Sequence, residues 1–155
     1  MPDFLSQAAA FGPGGLLGLD LGTKTIGVAS CGPERTLASP VTVIRRTKFG
    51  ADAAEVIRLA DERRAGGLVV GLPLNMDGSQ GPRAQGVRDL ATNILRLADI
   101  PILFQDERMS SQAVTRGMLD ADMSRRRRAQ EVDRLAAAYI LQGVLDRLRS
   151  QRKTP

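Results

Sequence analysis

The sequence predicts a single α/β domain built on a mixed five-stranded sheet flanked by helices. Three short apolar runs near the start of the chain, separated by turn segments, predict three consecutive strands. Further along, apolar runs alternate with stretches whose apolar residues recur every three or four positions, which is typical of strands alternating with helices. A length of 155 residues is sufficient for one domain with a substantial core.

The first half of the chain contains three strands and one helix. Pro40 lies in the third strand and favours a sheet edge, because proline donates no hydrogen bond to a neighbouring strand. The predicted elements are strands at residues 16–20, 26–30 and 37–44, and an amphipathic helix at 52–64 that ends at Gly66 and Gly67. Residues 1–14 run into a glycine-proline segment, and we predict that they form a disordered tail outside the fold.

In the second half of the chain, helices alternate with strands. The continuous apolar run at residues 68–72 predicts a strand that is buried on both faces of the sheet. The remaining predicted elements are a helix at 82–98, a strand at 101–105, a helix that begins at Ser110 or Ser111, and a final helix at about 129–148. We expect the folded domain to occupy residues 15–150, with a C-terminal tail at 151–155.

The complete absence of histidine limits the chemistry that this chain can perform. It excludes Ser-His-Asp and Cys-His catalysis, histidine-ligated zinc, and nucleases whose general base is a histidine. Cys31 is the single cysteine, so the chain can form neither an internal disulfide nor a cluster of zinc-binding thiolates. Since the sequence has no signal-peptide pattern and no apolar run of about 20 residues, we expect a cytoplasmic protein with no membrane partner.

The charge of the chain favours a polyanionic partner. Its formal net charge is +5 at pH 7, and a basic surface binds phosphates and releases their counterions. Aromatic residues make up only 3% of the chain, so stacking platforms for single-stranded bases are scarce. We therefore expect recognition of the backbone or shape of a duplex or branched nucleic acid; the alternative is a basic surface that serves only solubility.

Two acidic residues lie at the ends of predicted strands. Asp20 belongs to the first apolar strand, where an ionised carboxylate is costly unless a cation or hydrogen bonds compensate it. The alternative is that Asp20 caps the turn that follows. Glu107 comes directly after the fifth strand, at the end where α/β sheets commonly present ligand groups. An ordinary charged surface loop is the alternative for Glu107.

Asp133 is a third such acid and lies in the final predicted helix. It sits on or beside the apolar stripe of that helix, because Ala136, Ala137 and Ile140 follow it at helical spacing. Small alanines allow the helix to lie close to the sheet and to direct the carboxylate inward; the alternative is a boundary aspartate paired with Arg or Lys.

Three carboxylates that meet at one end of the sheet would repel one another and require cations. Because the chain has no histidine or thiolate cluster for zinc, Mg²⁺ or Mn²⁺ is the natural match for these oxygen ligands. Two such ions about 4 Å apart can activate water and stabilise the leaving oxygen in phosphodiester hydrolysis. This mechanism needs no side-chain base, which is consistent with the missing histidines.

Four segments of the chain resemble the YqgF family, whose members are described as RuvC-like Holliday-junction resolvases and as nucleases that process pre-16S ribosomal RNA. The matching segments are GLDLGTKTIGVA at residues 18–29, VVGLPLNMDGS at 69–79, DERMSS at 106–111 and VDRLAA at 132–137. The resemblance extends over about residues 15–148, and the presence of all four segments in this order makes it specific.

The resemblance implies an RNase H-like fold and a metal-dependent nuclease, acting either on the 5′ end of pre-16S rRNA or on Holliday junctions. The metal-binding and catalytic acids would be Asp20, Glu107 and Asp133. The substrate contacts beside them would be Lys24, Asn75, Arg83 and Arg108. Junction resolvases are commonly dimers, so a homodimer is the assembly that the resemblance brings into consideration.

Two positions depart from the patterns of the family and its relatives. Residues 109–111 read Met-Ser-Ser where the family usually has Leu, then Ser or Thr, then Thr. Many RNase H-type nucleases take their second carboxylate from the end of the fourth strand, but here that strand ends in Gly71-Leu72-Pro73. We assign the role to Glu107 instead.

A run of four arginines, consisting of Arg125, Arg126, Arg127 and Arg128, precedes the last predicted helix. Beside Asp133 these arginines could clamp phosphates near the scissile bond; a solvated surface is the alternative. The segment 20–27 also resembles the phosphate loop of actin-like ATPases and sugar kinases, but those proteins need two lobes and this chain supplies one. A stronger rival is a non-catalytic nucleic-acid-binding or ribosome-assembly module with the same fold.

Overall fold

The computed structural model describes residues 4–107 and 125–152, with the backbone alone for residues 125–134 and 152. Within these ranges the elements follow one another in the order α1-β1-β2-β3-α2-β4-α3-β5-α4. The strands are β1 (Gly15–Leu21), β2 (Thr25–Ser30), β3 (Ser39–Arg45), β4 (Ala65–Leu72) and β5 (Ile102–Asp106). The helices are α1 (Phe4–Ala9), α2 (Phe49–Glu62), α3 (Pro82–Leu97) and α4 (Arg125–Arg152).

The five strands form one mixed sheet, as predicted, and lie in it in the order β3-β2-β1-β4-β5. The first three strands pair antiparallel, whereas β4 pairs parallel with β1, and β5 pairs parallel with β4. β3, which contains Pro40, lies at one edge. Because β1, β4 and β5 run parallel, their carboxyl ends lie together at one end of the sheet.

Helices pack on both faces of the sheet. On one face, α2 and α3 cover a core that includes Leu17, Leu19 and Val70. On the other face, α4 covers a second core that includes Leu16 and Val69. The two cores use alternate residues of the same strands, since successive side chains of a strand point to opposite faces. The central strand β1 is consequently buried along its whole length.

The prediction of a disordered tail at residues 1–14 was wrong where the structure describes this segment. The chain forms helix α1 there, and Phe4 and Phe11 pack against the core on the α4 face. Gln7 Oε1 also accepts a hydrogen bond from the backbone N–H of Phe104 in the edge strand β5, at 3.0 Å. These contacts join groups that are distant in sequence, so a local pattern of residues could not reveal them.

The boundary between α2 and β4 also differs from the prediction. Gly66 and Gly67, which we expected to end the helix, lie inside β4. A Cβ on Gly67 would overlap the ring of Phe11, and a Cβ on Gly66 would overlap the backbone of Gly12. The glycines therefore allow the N-terminal segment to cross the strand. The helix ends earlier, before Arg64, which adopts a left-handed φ of 52°.

Helix α4 is longer than the predicted helix at about 129–148. The predicted C-terminal tail at 151–155 is wrong for residues 151 and 152, which belong to this helix. The helix predicted to begin at Ser110 or Ser111 lies outside the described residues. In the part of the chain that the structure describes, no helix combines the length and apolar character needed to cross a membrane.

Candidate functional site

Asp20 lies on the face of β1 that α4 covers. It shares this face with Leu16 and Gly18, because residues two apart in a strand point the same way. At Gly18 the helix comes very close: a Cβ there would lie 3.0 Å from the backbone oxygen of Ala137 and 2.8 Å from Cβ of Leu141. Asp20 follows near the carboxyl end of the strand and is only 7% exposed. The strand thus holds a carboxylate where little water reaches it.

Glu107 approaches the same face from the far side of β4. Leu19 of β1 is paired with Val70 of β4, and the next residue of β4, Gly71, is paired with Gln105 of β5. Asp20 follows Leu19 and therefore lies at the same end of the sheet as Gly71. Glu107 follows Gln105 by two residues, and its Cγ lies 3.7 Å from the position that a Cβ of Gly71 would occupy. Because Gly71 has no side chain, both Glu107 and the Cδ1 atom of Ile140 in α4 lie close above its backbone.

The oxygens of these two acids provide suitable ligands for a divalent cation. Oδ1 of Asp20 and Oε2 of Glu107 each expose less than 1 Å² to solvent. Withdrawing an anionic oxygen from water is costly, and a neighbouring cation offsets that cost. Oxygen ligands suit Mg²⁺ or Mn²⁺, whereas zinc sites usually contain histidine or cysteine. The residues present therefore fit a hard divalent cation.

Asp133, the third predicted ligand, belongs to α4 and precedes Ala137 by one helical turn. Its backbone therefore lies about 6 Å along the helix from the point where Ala137 meets Gly18. The side chain of Asp133 is outside the described part, so its role as a ligand stays a prediction. Among the described residues, no three acidic or cysteine side chains are grouped closely enough to hold a metal ion together.

The structure describes only some of the predicted nucleic-acid contacts. Lys24 in the β1–β2 turn and Arg83 in the first turn of α3 are exposed. Arg83 lines a concave surface together with Gly22 and Thr23, which belong to the β1–β2 turn close to the carboxyl end of β1. Four predicted contacts, Arg125, Arg126, Arg127 and Arg128, form the first turn of α4 and are described by their backbone alone. Arg108 lies outside the described residues.

Asn75 lies in the loop after β4 and helps to close it. Its Nδ2 donates to Ser79 Oγ at 3.0 Å, and its backbone N–H donates to the Ser79 carbonyl at 2.9 Å. Asp77 Oδ1 accepts from the Ser79 N–H at 2.9 Å, and Gly78 supplies the left-handed φ of 87° that the turn requires. The loop exposes 92% of Met76. Contact between Asn75 and a substrate stays a prediction.

Three residues that shape the site were not identified from the sequence: Gly18, Gly71 and Arg46. A glycine inside an apolar strand often marks the close approach of another backbone, so the sequence did contain an indication for the two glycines. Arg46 offered no such indication. Its guanidinium Nη1 donates to the carbonyl oxygens of Gly22 at 2.6 Å and Thr23 at 3.3 Å, in a turn that is distant in sequence.

The fold resembles that of two solved structures of RuvC. The structure of T. thermophilus RuvC in complex with a Holliday junction substrate matches with a TM-score of 0.57 and 16% sequence identity, covering 88% of this chain and 96% of that one. A second structure of Thermus thermophilus RuvC matches with a TM-score of 0.54 and 17% identity, covering 87% and 96%. The prediction of an RNase H-like fold is confirmed.

Two bacterial relatives, both named "Putative pre-16S rRNA nuclease", are much more similar in sequence. The protein from Nitrobacter winogradskyi is 57% identical over 152 residues, which cover 97% of this chain and 93% of the relative. The protein from Paracoccus denitrificans is 58% identical over 136 residues, which cover 88% and 86%. A family model described as RuvX, Holliday junction resolvase, matches residues 14–147, and this chain therefore belongs to that family.

Proposed function

We propose that this chain is a divalent-metal-dependent endonuclease that hydrolyses phosphodiester bonds in structured nucleic acid. The observation that carries the proposal is that two acids with buried oxygens, Asp20 and Glu107, lie at the carboxyl ends of β1 and β5, which both run parallel to β4. Membership of a nuclease family supports the same chemistry. Asp20, Glu107 and Asp133 are the proposed metal ligands and catalytic residues, and Mg²⁺ or Mn²⁺ is the proposed cofactor.

The residues of the chain would hold the reacting groups in place. When bound, the divalent cations supply activation of the attacking water and stabilisation of the leaving oxygen. Asp20 is held by the central strand of the sheet, so its carboxylate is positioned before substrate arrives. Because the chain has no histidine, the proton of the attacking water would pass to a group other than an imidazole, such as a carboxylate, an amine or solvent.

The 5′ end of pre-16S rRNA is the substrate that we favour. Relatives with this substrate in their names share more than half of their aligned residues with this chain, over most of both lengths. Resolution of Holliday junctions is the second candidate, supported by the description of the family. We place the reaction in the cytoplasm. For a junction we propose a homodimer, because two symmetric cuts are most simply made by a two-fold assembly.

Basic residues would hold the substrate across the carboxyl end of the sheet. The proposed backbone contacts are Lys24, Asn75, Arg83, Arg108, Arg125, Arg126, Arg127 and Arg128. Phosphate contacts of this kind fix the position of a nucleic acid without reading its sequence. Selectivity would then come from the shape of the duplex or branch rather than from the bases.

A parallel cleavage assay tests the proposal. The full chain is incubated with an RNA that spans the 5′ end of pre-16S rRNA, with a four-way DNA junction, and with a linear DNA duplex as control. Each substrate is tested with Mn²⁺, with Mg²⁺ and with EDTA. We expect cleavage of the RNA at discrete positions that depends on divalent metal. Tight binding of RNA and junction without cleavage under any metal condition would instead identify a non-catalytic binding module.

A further inference from the structure

A pocket of about 280 Å³ lies beyond the carboxyl end of β1, on the α3 side of the sheet. The β1–β2 turn, with Gly22 and Thr23, forms one wall, and the first turn of α3, with Pro82 and Arg83, forms the other. Arg46 also lines the pocket. Among the described residues that line the pocket, two are charged, and both are arginines: Arg46 and Arg83. A pocket with two guanidinium groups and no lining carboxylate favours an anion.

Arg46 is held in a fixed orientation at this pocket. Its backbone N–H donates to the Lys24 carbonyl at 2.9 Å, and its Nη1 donates to the carbonyl oxygens of Gly22 and Thr23. Its guanidinium also lies over the ring of Phe49, 5.6 Å from the ring centre. A guanidinium carries five N–H donors, more than these two carbonyl bonds use. The remaining N–H donors therefore belong to a side chain that the fold already holds in place, so binding a ligand would cost little additional side-chain entropy.

Two other concave surfaces lack this charge pattern. The groove between β3 and α2 is lined by three arginines, Arg45, Arg58 and Arg63, but also by Glu55 and Glu62, which pair with Arg58 at 2.6 and 2.9 Å. The groove near the opposite ends of the parallel strands is lined by Asp61 and Asp99. An anion would meet two carboxylates beside the arginines of the first groove, and only carboxylates among the charged lining residues of the second. The pocket at Arg46 is the one of these three whose charged lining residues are all cationic.

The pocket also lies close to the acidic site. Leu21 lines it, and Leu21 directly follows Asp20 in β1, with its side chain on the opposite face. A strand that crosses the carboxyl end of the sheet could therefore contact both. We propose that Arg46 and Arg83 together bind one backbone phosphate of the nucleic acid, beside the phosphodiester that is cut. This inference rests on the proposed function and adds a defined phosphate subsite to it.

Binding measurements without cleavage test the subsite. Arg46→Gln, Arg83→Gln and the double variant are compared with the parental chain by fluorescence anisotropy, using the pre-16S RNA fragment and the four-way junction in EDTA across a salt series. We expect each single variant to bind about 10-fold more weakly at low salt. A plot of log K against log salt has a negative slope. For the double variant this slope should be flatter by about 0.7–0.9, the value for the loss of one phosphate contact.

Arg45→Gln is the matched control. Arg45 neighbours Arg46 in sequence and is exposed, but it lines the groove between β3 and α2 instead of the pocket. The Arg45→Gln substitution changes the net charge by the same amount as Arg46→Gln or Arg83→Gln. We expect its affinity for nucleic acid to fall by less than about twofold, as for a general charge effect. If Arg46→Gln is unfolded, which circular dichroism would reveal, the comparison of Arg83→Gln with Arg45→Gln decides the question alone.

The outcomes separate the subsite from the proposed function. If the parental chain cuts RNA but all three single variants bind alike, the subsite is wrong and the nuclease stands. If nothing is cut but binding still depends on Arg46 and Arg83, the subsite stands and the nuclease is wrong. Failure of the parental chain to bind either nucleic acid overturns the subsite.

Discussion

The two faces of β1 carry different kinds of residue although they belong to one strand. Toward α2 and α3 the strand presents three buried leucines, Leu17, Leu19 and Leu21. Toward α4 it presents Leu16, Gly18 and Asp20. The first face contributes apolar area to the core. The second face has one position without a side chain and one with a charge, so it contributes less to packing.

The difference shows that β1 gives up apolar packing on the face where the proposed site lies. Gly18 and Gly71 let α4 and Glu107 approach the sheet closely, and Asp20 keeps a charged group beside them. Local rules of strand composition favour none of these residues at a buried position. Departures of this kind are expected at functional sites, where the surrounding structure compensates for them. Four substitutions test this comparison: three on the side of the sheet that α4 covers, and one on α2, on the opposite side.

The largest effect is expected from Asp20→Asn. Loss of the carboxylate should reduce cleavage at least about 100-fold, because an electrostatic group at the reacting centre is removed, while nucleic-acid binding persists. Stability without metal should not fall, since the change removes a buried charge. Mn²⁺ should raise the thermal midpoint of the parental chain but not that of the variant, because a ligand stabilises only the state that binds it. Cleavage rates, anisotropy and thermal scans measure the three quantities.

Asp52→Asn is the control for this variant. Asp52 is also buried, at 3% exposed, but it lies in α2, where its Oδ1 accepts hydrogen bonds from the backbone N–H and Oγ1 of Thr47 at 3.0 and 3.3 Å. An asparagine oxygen can accept the same two bonds. We therefore expect near-parental cleavage. Equal cleavage by the Asp20 and Asp52 variants would mean that Asp20 has only a structural role.

Gly18→Ala should produce the largest loss of stability. A Cβ at this position would lie 2.8 Å from Cβ of Leu141 and 3.0 Å from the backbone oxygen of Ala137, and neither atom can move without the helix. We expect the free energy of unfolding to fall by about 1–3 kcal/mol, as for overpacked cores. Gly50→Ala in α2 is the control, because no atom lies within 4 Å of its added Cβ. Urea unfolding that shows equal stability for both variants would contradict the close packing of α4.

Gly71→Ala should affect activity more than stability. The nearest atom to its added Cβ is Cδ1 of Ile140 at 2.6 Å, the flexible end of a side chain, so the core can adjust. The methyl group would also lie 3.7 Å from Cγ of Glu107. A shift of Glu107 would misplace a proposed metal ligand, so we expect a loss of cleavage of about 10- to 100-fold, roughly the cost of a small misplacement at a reacting centre. Gly143→Ala on α4 is the control, since its Cβ would lie 3.9 Å from Gln105. Unchanged cleavage by Gly71→Ala would show that the position of Glu107 above Gly71 does not matter for the reaction.

The sequence predicted the sheet, and the position of Asp20 in its first strand, more accurately than the contacts around them. The parallel and antiparallel strands could be recognised because apolar runs and turns are local patterns, and Asp20 was conspicuous as a charge within such a run. The packing of Phe4 and Phe11 and the position of Arg46 depend on partners far along the chain. Such contacts exist only once the sheet has formed, so no local pattern encodes them. The side chains of Asp133 and Arg108 lie outside the described part of the structure, and their roles stay predictions.

The smallest effect is expected from Arg58→Ala on the outer surface of α2. Arg58 pairs with Glu55 and Glu62 at 2.6 and 2.9 Å, but its side chain is 59% exposed, and solvent screens such pairs strongly. Hydrogen bonding to Arg58 lowers the pKa of Glu55 below its ordinary value of 4.5.

A group whose folded-state pKa is lowered stabilises the protein above its unfolded pKa, and this contribution is lost as the pH falls through the folded value. The small difference in thermal midpoint between Arg58→Ala and the parental chain should therefore be present at pH 7 and disappear in acid below pH 4.5, as well as in about 1 M salt. Cleavage should be unchanged, because Arg58 and its two partners lie on α2, on the face of the sheet opposite to α4. A variant that lost cleavage at pH 7 with an unchanged thermal midpoint would extend the functional surface to the α2 face and contradict the comparison.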